Sequence, residues 1–274
     1  MRGWALVTGC STGIGRSLVG ALQARDWGVV ATARRLASLD DLPEAANLRR
    51  LALDVTDPAS LEAAAAACAD LDLRVLVNNA GYGQPGPLEH LRPSELRAQL
   101  ETNVVGLHAA TTAFLPLLRR SGDARVVQVG SVLGRMSIPL AGAYCASKHA
   151  VTALAEALRL EVGPSVQVML VEPGAIQSEF RETLARGLGD LPERLKGTPY
   201  LAPMEAYLAR QKARAGAHGL SAGECAARIA EALGRPSMPR RLVIGRDARL
   251  ANLGKALLPA PLWEWAVRKA FGVG

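Results

Sequence analysis

The chain has 274 residues, 49% hydrophobic and 21% charged, with a formal net charge of +7. It can bury a full core, and a single α/β domain of this length is common, so size alone does not divide it. Composition argues against metal and nucleic-acid chemistry. His90, His108, His149 and His218 form no HExxH pair, Cys10, Cys68, Cys145 and Cys225 form no CxxC pair, and the basic excess collects late, from Arg235 to Lys269, without an aromatic stacking series. Scattered thiols suit a reducing compartment. Met1-Arg2-Gly3 runs straight into an apolar strand with no signal-peptide pattern, and no apolar run reaches transmembrane length. The expected location is cytoplasmic. Aromatics are only 4%, so the core is Ala/Val/Leu packing.

In chain order, WALVTG reads as a short buried strand, followed by a glycine-rich turn and a helix to about Asp26. WGVVATA and LRRLALDV are the second and third strands. Asp57-Pro58 then reads as an N-cap with proline at the first helical position, opening an Ala-rich helix to about Asp70. LRVLVNNAG is the fourth strand, and Pro93–Arg120 is a long helical stretch with a break expected near Glu101. ARVVQVGS is the fifth strand, AYCASKHAVTALAEALRLEV a helix, SVQVMLVEPG the sixth strand and RRLVIG the seventh. Short apolar strands alternating with helices predict one doubly wound α/β domain of the Rossmann type, 1–274, with a seven-stranded, mostly parallel sheet. Between about 175 and 220 the pattern loosens around Pro192, Gly197, Pro199 and Pro203, as in a binding lid. Ser221 and Glu224 restart a helix as a capping box. A C-terminal extension covers about 246–274.

The turn after the first strand, Thr8 to Gly15, is neither a Walker A loop nor a GxGxxG, yet it serves the same physics. Gly9 permits a tight exit, Gly13 lets backbone approach a pyrophosphate, and Gly15 allows close helix packing. Free N–H groups at the helix start then face the anion, with Ser11, Thr12 and Ile14 in the same turn. The second strand ends Ala33-Arg34-Arg35, where an NAD site would carry an acid against the ribose 2′-hydroxyl. Arginine there suits the 2′-phosphate of NADP, so NADP(H) is expected over NAD(H). The alternative is a pair of surface arginines opening a helix. Asp54, with Val55 beside it, is placed for the adenine edge, or is a plain turn carboxylate.

Tyr144 and Lys148 lie four residues apart on a predicted helix and so share a face. A free tyrosine has a pKa of about 10, and proton exchange near neutrality needs preferential stabilisation of its phenolate. A neighbouring lysine supplies part of that. Alone, such a pair is more often an ordinary exposed one.

Taken together, the motifs resemble the short-chain dehydrogenase/reductase family over about residues 2–245. Thr8-Gly9-x-x-x-Gly13-x-Gly15 matches its cofactor turn, and Asn78-Asn79-Ala80-Gly81 its fourth-strand NNAG. Ser131 stands thirteen residues before Tyr144, Tyr144-x-x-x-Lys148 matches the active-site helix, and Asn103 the tetrad asparagine. Pro173-Gly174 with Ser178 resembles the segment that holds the nicotinamide amide, and Ile176 lies within it. The resemblance implies that Tyr144 is the general acid in reduction and the base in oxidation. It implies that Lys148 lowers the tyrosine pKa and binds the nicotinamide ribose, that Ser131 donates to the carbonyl oxygen, and that Asn103 holds a water linking Lys148 to solvent. For Asn103 the residues alone also suggest a helix-break asparagine satisfying backbone. Asn79, Ala80 and Gly81 join the cofactor set, and no metal is implied. A homodimer or homotetramer through the helices around Leu100–Leu118 and Tyr144–Glu161 is the family's habit.

Gly9-Cys10-Ser11-Thr12 and the Tyr144–His149 stretch look like the hydroxysteroid and retinol dehydrogenase branches. The lid is rich in apolar groups, among them Ile176, Phe180, Leu184, Leu188, Leu191, Leu195, Tyr200, Met204 and Tyr207, and Val132, Leu133, Met136 and Leu140 follow Ser131. A lipophilic ketone, aldehyde or alcohol is the expected substrate, unless half of these residues are core. The alternatives are a 3-oxoacyl carrier reductase and a non-catalytic NADP-binding regulator. Trp263, Trp265 and Phe271 near Arg268 and Lys269 are expected to cap the pocket or pack on a subunit in preference to touching a membrane.

Overall fold

The computed structural model describes residues 1–177, 184, 187–217 (backbone alone over 212–217) and 220–272. Seven strands, all parallel, form the sheet in the order β3-β2-β1-β4-β5-β6-β9. They are β1 Trp4–Val7, β2 Gly28–Ala33, β3 Leu48–Ala52, β4 Leu73–Asn78, β5 Ala124–Val129, β6 Val166–Pro173 and β9 Arg241–Ile244. β2 and β5 are buried along their whole length, as a sheet covered on both faces requires. One core packs Leu18 and Leu22 of helix α1 (Gly13–Gln23) and Ile229 and Leu233 of helix Ala222–Leu233 against one face. The other packs Leu61 of α2 (Pro58–Ala67) and Phe114 and Leu118 of α4 (Gly106–Arg120). The predicted doubly wound sheet is therefore the observed one. Strand order reverses between β1 and β4, and at the carboxyl ends of such a reversal doubly wound sheets hold their ligands.

Asp57 caps α2 as expected, accepting from the Ala59 N–H at 3.0 Å, and Ser221 and Glu224 form the predicted capping box. Helix α2 ends at Ala67, short of Asp70. The expected break near Glu101 is a widening of the helix. α3 (Pro93–Leu100) continues into α4 through a π turn, Glu101–Val105. A π turn inserts one residue without interrupting the helix axis, and it turns Asn103 into the interior.

The lid holds the helices Leu191–Arg194 and Leu201–Ala217 and a pair of two-residue parallel strands, β7 Ile176–Gln177 and β8 Leu220–Ser221. Strands this short carry no alternation to read in sequence. The extension is a helical hairpin, Arg246–Leu257 and Ala260–Phe271, separated at Pro259.

Candidate active site

The glycine turn is stapled to the end of β4. Thr8 Oγ1 accepts from the N–H groups of Asn79 and Ala80 at 2.9 Å each. Asn79 Nδ2 donates back to the carbonyls of Thr8 and Gly9 at 2.9 and 3.0 Å. Gly9 has φ of +73°, and a Cβ on it would stand 2.8 Å from Ala80 Cα. A Cβ on Gly15 would overlap the Gly9 carbonyl oxygen and the Asn79 amide. Thr12 is the extended N-cap of α1 but gives no side-chain cap, and the first turn holds no acid. The leading N–H groups of an eleven-residue helix are thus left open beside a glycine cradle, which fits a dinucleotide pyrophosphate. Asn79 and Ala80 shape that cradle. Gly81 is needed for another reason: its Cβ would lie 2.9 Å from Asn103 Oδ1.

Arg34 and Arg35 emerge exposed at the end of β2. No ion pair or hydrogen bond among the described residues engages Arg34. Asp54, one strand over, accepts from the Thr56 N–H at 2.9 Å and the Thr56 hydroxyl at 2.8 Å. Burial pushes its carboxyl up, but the Thr56 bonds and the charge of Arg34 prevail and hold it below the ordinary value. Val55 is buried under Gly106. The arginine and the carboxylate are therefore neighbours at the rim, and the turn-carboxylate reading of Asp54 accounts for its bonds.

Helix α5 (Gly142–Val162) carries Tyr144 and Lys148 against the end of β5. Lys148 is 6% exposed, and its ammonium donates to the Val129 carbonyl at 2.8 Å. Burial pulls its pKa down to about 8. Its Nζ lies 5.7 Å from the centroid of the Tyr144 ring. Ser131 caps the turn beyond β5 by accepting from the Leu133 N–H at 3.1 Å, and its side chain also hydrogen-bonds Tyr144. Burial pushes the Tyr144 phenol well above its usual value, and the Ser131 bond only offsets part of that. Desolvation of the phenol outweighs the downward pull of the Ser131 bond. Asn103 takes the helix-break role that the residues alone suggest, which is compatible with the implied one. Its Nδ2 donates to Tyr82 O at 2.9 Å and Ser147 Oγ at 3.1 Å, and its Oδ1 accepts from the Tyr82 N–H at 3.0 Å. It satisfies backbone beside the active-site helix, one residue from Lys148.

Beyond β6, Gly174 donates to Ile244 O at 2.8 Å, and Ala175 donates to Asp247 Oδ2 at 2.7 Å. Asp247 was not foreseen. Its signal was an acid two residues after Gly245, in the first turn of the extension's first helix. Ile176 follows in β7, whereas Ser178 and Phe180 lie outside the described residues.

These groups border a cavity of about 450 Å³. Ser131 and Tyr144 stand on one wall with Val132, Leu133, Met136 and Ile138. Ile176, Leu184 and Tyr207 come from the lid, and Trp263, Val267 and Phe271 from the extension. Gln84, Gln211 and Asp247 add polar points. Leu140, Leu191, Leu195 and Met204 instead form a small core beneath the lid, with Leu188, Tyr200, Leu201 and Leu208 against it. The apolar residues thus divide between cavity and core.

A family model described as short chain dehydrogenase matches residues 3–188. The chain is 31% identical over 97% of its length to an uncharacterised oxidoreductase of Bacillus subtilis, YusZ, of which 97% is covered. It is 40% identical over 65% of its length to human 17-beta-hydroxysteroid dehydrogenase type 1, spanning 58% of that protein. Among solved structures, a short chain dehydrogenase from Burkholderia cenocepacia in complex with NADP superposes with a TM-score of 0.75 at 25% identity, over 98% of this chain and 97% of that one.

Proposed function

The chain belongs to the short-chain dehydrogenase family, and from that premise we propose an NADP(H)-dependent reduction of a lipophilic ketone or aldehyde, with Tyr144 as proton donor. The family makes it an oxidoreductase of small molecules with a nicotinamide cofactor. The observation that carries the finer reading is the meeting of Ser131 and Tyr144 at a mostly apolar cavity, with the buried Lys148 ammonium 5.7 Å from the centroid of the Tyr144 ring. Human 17-beta-hydroxysteroid dehydrogenase type 1 supports a bulky, mostly apolar substrate by likeness.

The cofactor would be held by Gly9–Gly15 and Asn79–Gly81 at the pyrophosphate and nearer ribose, by Arg34 with Arg35 at the 2′-phosphate, and by Asp54 and Val55 at the adenine. Lys148 and Pro173–Ile176, with Ser178, serve its nicotinamide end. When bound, NADPH supplies the hydride. A carbonyl oxygen between Ser131 and Tyr144 accepts a hydrogen bond from each. As negative charge develops on it, the phenol gives up its proton. A phenol whose pKa is raised by burial keeps that proton at neutral pH, so releasing it to the carbonyl oxygen requires the phenolate to be stabilised, by the Ser131 bond and by nearby positive charge. Lys148, pinned by the Val129 carbonyl, keeps a positive charge close to the ring that loses it. Asn103 fixes Tyr82 against Ser147 and so steadies α5.

We place the protein in the cytoplasm as a homodimer or homotetramer. Apolar side chains in the groove between α4 and α5, among them Leu107, Leu115, Leu154 and Leu158, support that assembly. A panel of steroid, retinoid, aliphatic and aromatic carbonyls, followed by NADPH absorbance, tests the reaction. Turnover of acyl thioesters and of no free carbonyl would replace it by a carrier reductase. NADPH binding without any reduction would leave a regulator on the same fold.

A further inference from the structure

The extension has two sides. Its inner side supplies Trp263, Val267 and Phe271 to the cavity wall. Its outer side leaves Leu250, Leu253, Leu257, Leu258, Leu262 and Trp265 exposed, from 37% for Leu258 to 71% for Leu257. On the first helix, Leu250, Leu253 and Leu257 recur at helical spacing and form one stripe, and Leu262 and Trp265 do so on the second. Six large apolar groups within sixteen residues are a patch, where scattered single ones would need no comment.

Charge identifies what covers it. Arg246, Arg249, Lys255, Arg268 and Lys269 are all exposed on the same two helices. Of the two acids there, Asp247 is tied to the Ala175 N–H, which leaves Glu264. We propose that the outer face of the hairpin Arg246–Phe271 docks on an anionic lipid surface, its leucines and Trp265 entering the headgroup boundary and its cations meeting lipid phosphates. An amphipathic, Lys/Arg-bordered helix pair with an interfacial tryptophan has the composition of a segment that lies in a membrane surface. No helix among the described residues is long and apolar enough to cross a membrane. A second copy of this chain fits less well. A two-fold contact brings a patch against itself, and here it would set five cations against the same five. The hairpin would then be the wall between lipid and cavity, a short path for a lipophilic substrate. Docking itself does not depend on the reaction proposed above.

Cosedimentation of the full chain with vesicles tests this, without cofactor. We expect binding to phosphatidylcholine vesicles containing about one-third phosphatidylserine, little binding to phosphatidylcholine alone, and loss of binding in about 0.5 M salt, where charges are screened beyond about 4 Å. Leu257→Glu with Trp265→Glu should weaken binding at least tenfold. Arg268→Glu with Lys269→Glu, which changes no apolar contact, should weaken it roughly fivefold per side chain or more. Both variants should keep native circular dichroism and the wild-type affinity for NADPH. Absence of binding to the anionic vesicles, equal binding to neutral ones, or full binding by the charge variant would each overturn the proposal. So would a wild-type oligomer that the Leu257/Trp265 variant splits, since the face would then be covered by another copy.

Discussion

The ammonium of Lys148, carried by α5, is bonded at 2.8 Å to the carbonyl of Val129 at the end of β5. The lysine is thereby a fixed charge, and burial brings its titration to about 8. The charge is present below that pH and lost above it. If the ammonium serves the nicotinamide ribose, NADPH affinity falls as pH rises through about 8. Fluorescence titration of NADPH between about pH 6.5 and 9.5 measures it, with Lys148→Met expected to be weaker and flat across the range. A flat wild-type profile would remove Lys148 from the cofactor site.

Replacing Tyr144 by Phe keeps the ring and removes the proton. We expect turnover to fall by at least about 10²–10⁴, the usual worth of a positioned acid, with NADPH binding within a few-fold of wild type. Ser131→Ala removes one donor to the developing oxyanion and should cost about 10²–10³ in kcat. Retained turnover in the tyrosine variant would sink the proton-transfer assignment.

The sheet was legible because most of its strands are apolar runs closed by Gly, Pro or Asp, the second (which runs into Arg34-Arg35) excepted, and two of the crossovers carry their own start signals. Asp57-Pro58 and Ser221-x-x-Glu224 were read from sequence and stand in place. Ser131, Tyr144 and Lys148 were legible through local spacing, one helical turn for the pair and a strand end for the serine. What escaped depends on distance in three dimensions. The π turn at Glu101–Val105 adds one residue to a helix without changing its composition. Asp247 reaches Ala175 across 72 positions of chain. The raised titration of Tyr144 comes from burial in the folded chain, which spacing along α5 cannot report. Nor can sequence tell which of the extension's leucines stay in water.

Arg34 stands at the rim with no ion pair or hydrogen bond among the described residues, close enough to Asp54 for its charge to lower that carboxyl. A 2′-phosphate would gain a charge-assisted bond from Arg34, worth about 1.5–3 kcal/mol, or roughly 10- to 150-fold. Arg34→Ala should therefore cut the ratio of kcat/KM for NADPH over NADH by at least about tenfold, mainly through the KM for NADPH. Asp54→Asn removes a negative charge from the same rim and should move the ratio the other way. An unchanged ratio in Arg34→Ala would make the arginine a surface residue only.

Gly15 faces the Gly9 carbonyl with no room for a methyl group. Gly15→Ala must push α1 away from the turn, at a cost of about 1–3 kcal/mol by analogy with overpacked cores. Thermal unfolding should fall by several degrees, and NADPH affinity should fall with it. Gly20 sits later on the same helix with nothing within 4 Å of its Cβ position. Gly20→Ala should stabilise α1 by up to about 1 kcal/mol through helix propensity and leave cofactor binding unchanged. If both variants behaved alike, the close approach at Gly15 would not be what shapes the turn.

Glu172 precedes Pro173-Gly174 and is wholly buried, with its Oε1 held by Arg241 at 2.6 Å and Arg135 at 4.0 Å. Burial raises its carboxyl above the ordinary value, with the two arginines pulling the other way. A raised acid contributes stability below its unfolded pKa and loses it as pH rises through the folded one. Removing Arg241 raises the folded value further and widens that loss. Arg241→Ala should then cost about 3 kcal/mol near pH 7, the lower end for a broken buried pair because Arg241 is partly exposed. The cost should shrink towards pH 4–5, where Glu172 takes up a proton and needs no partner. Glu172→Gln in the same background should recover much of the loss at neutral pH. Urea unfolding of the wild type and the two variants at both pH values measures these differences, and a cost for Arg241→Ala that does not change with pH would show that packing, not the carboxylate, sets it.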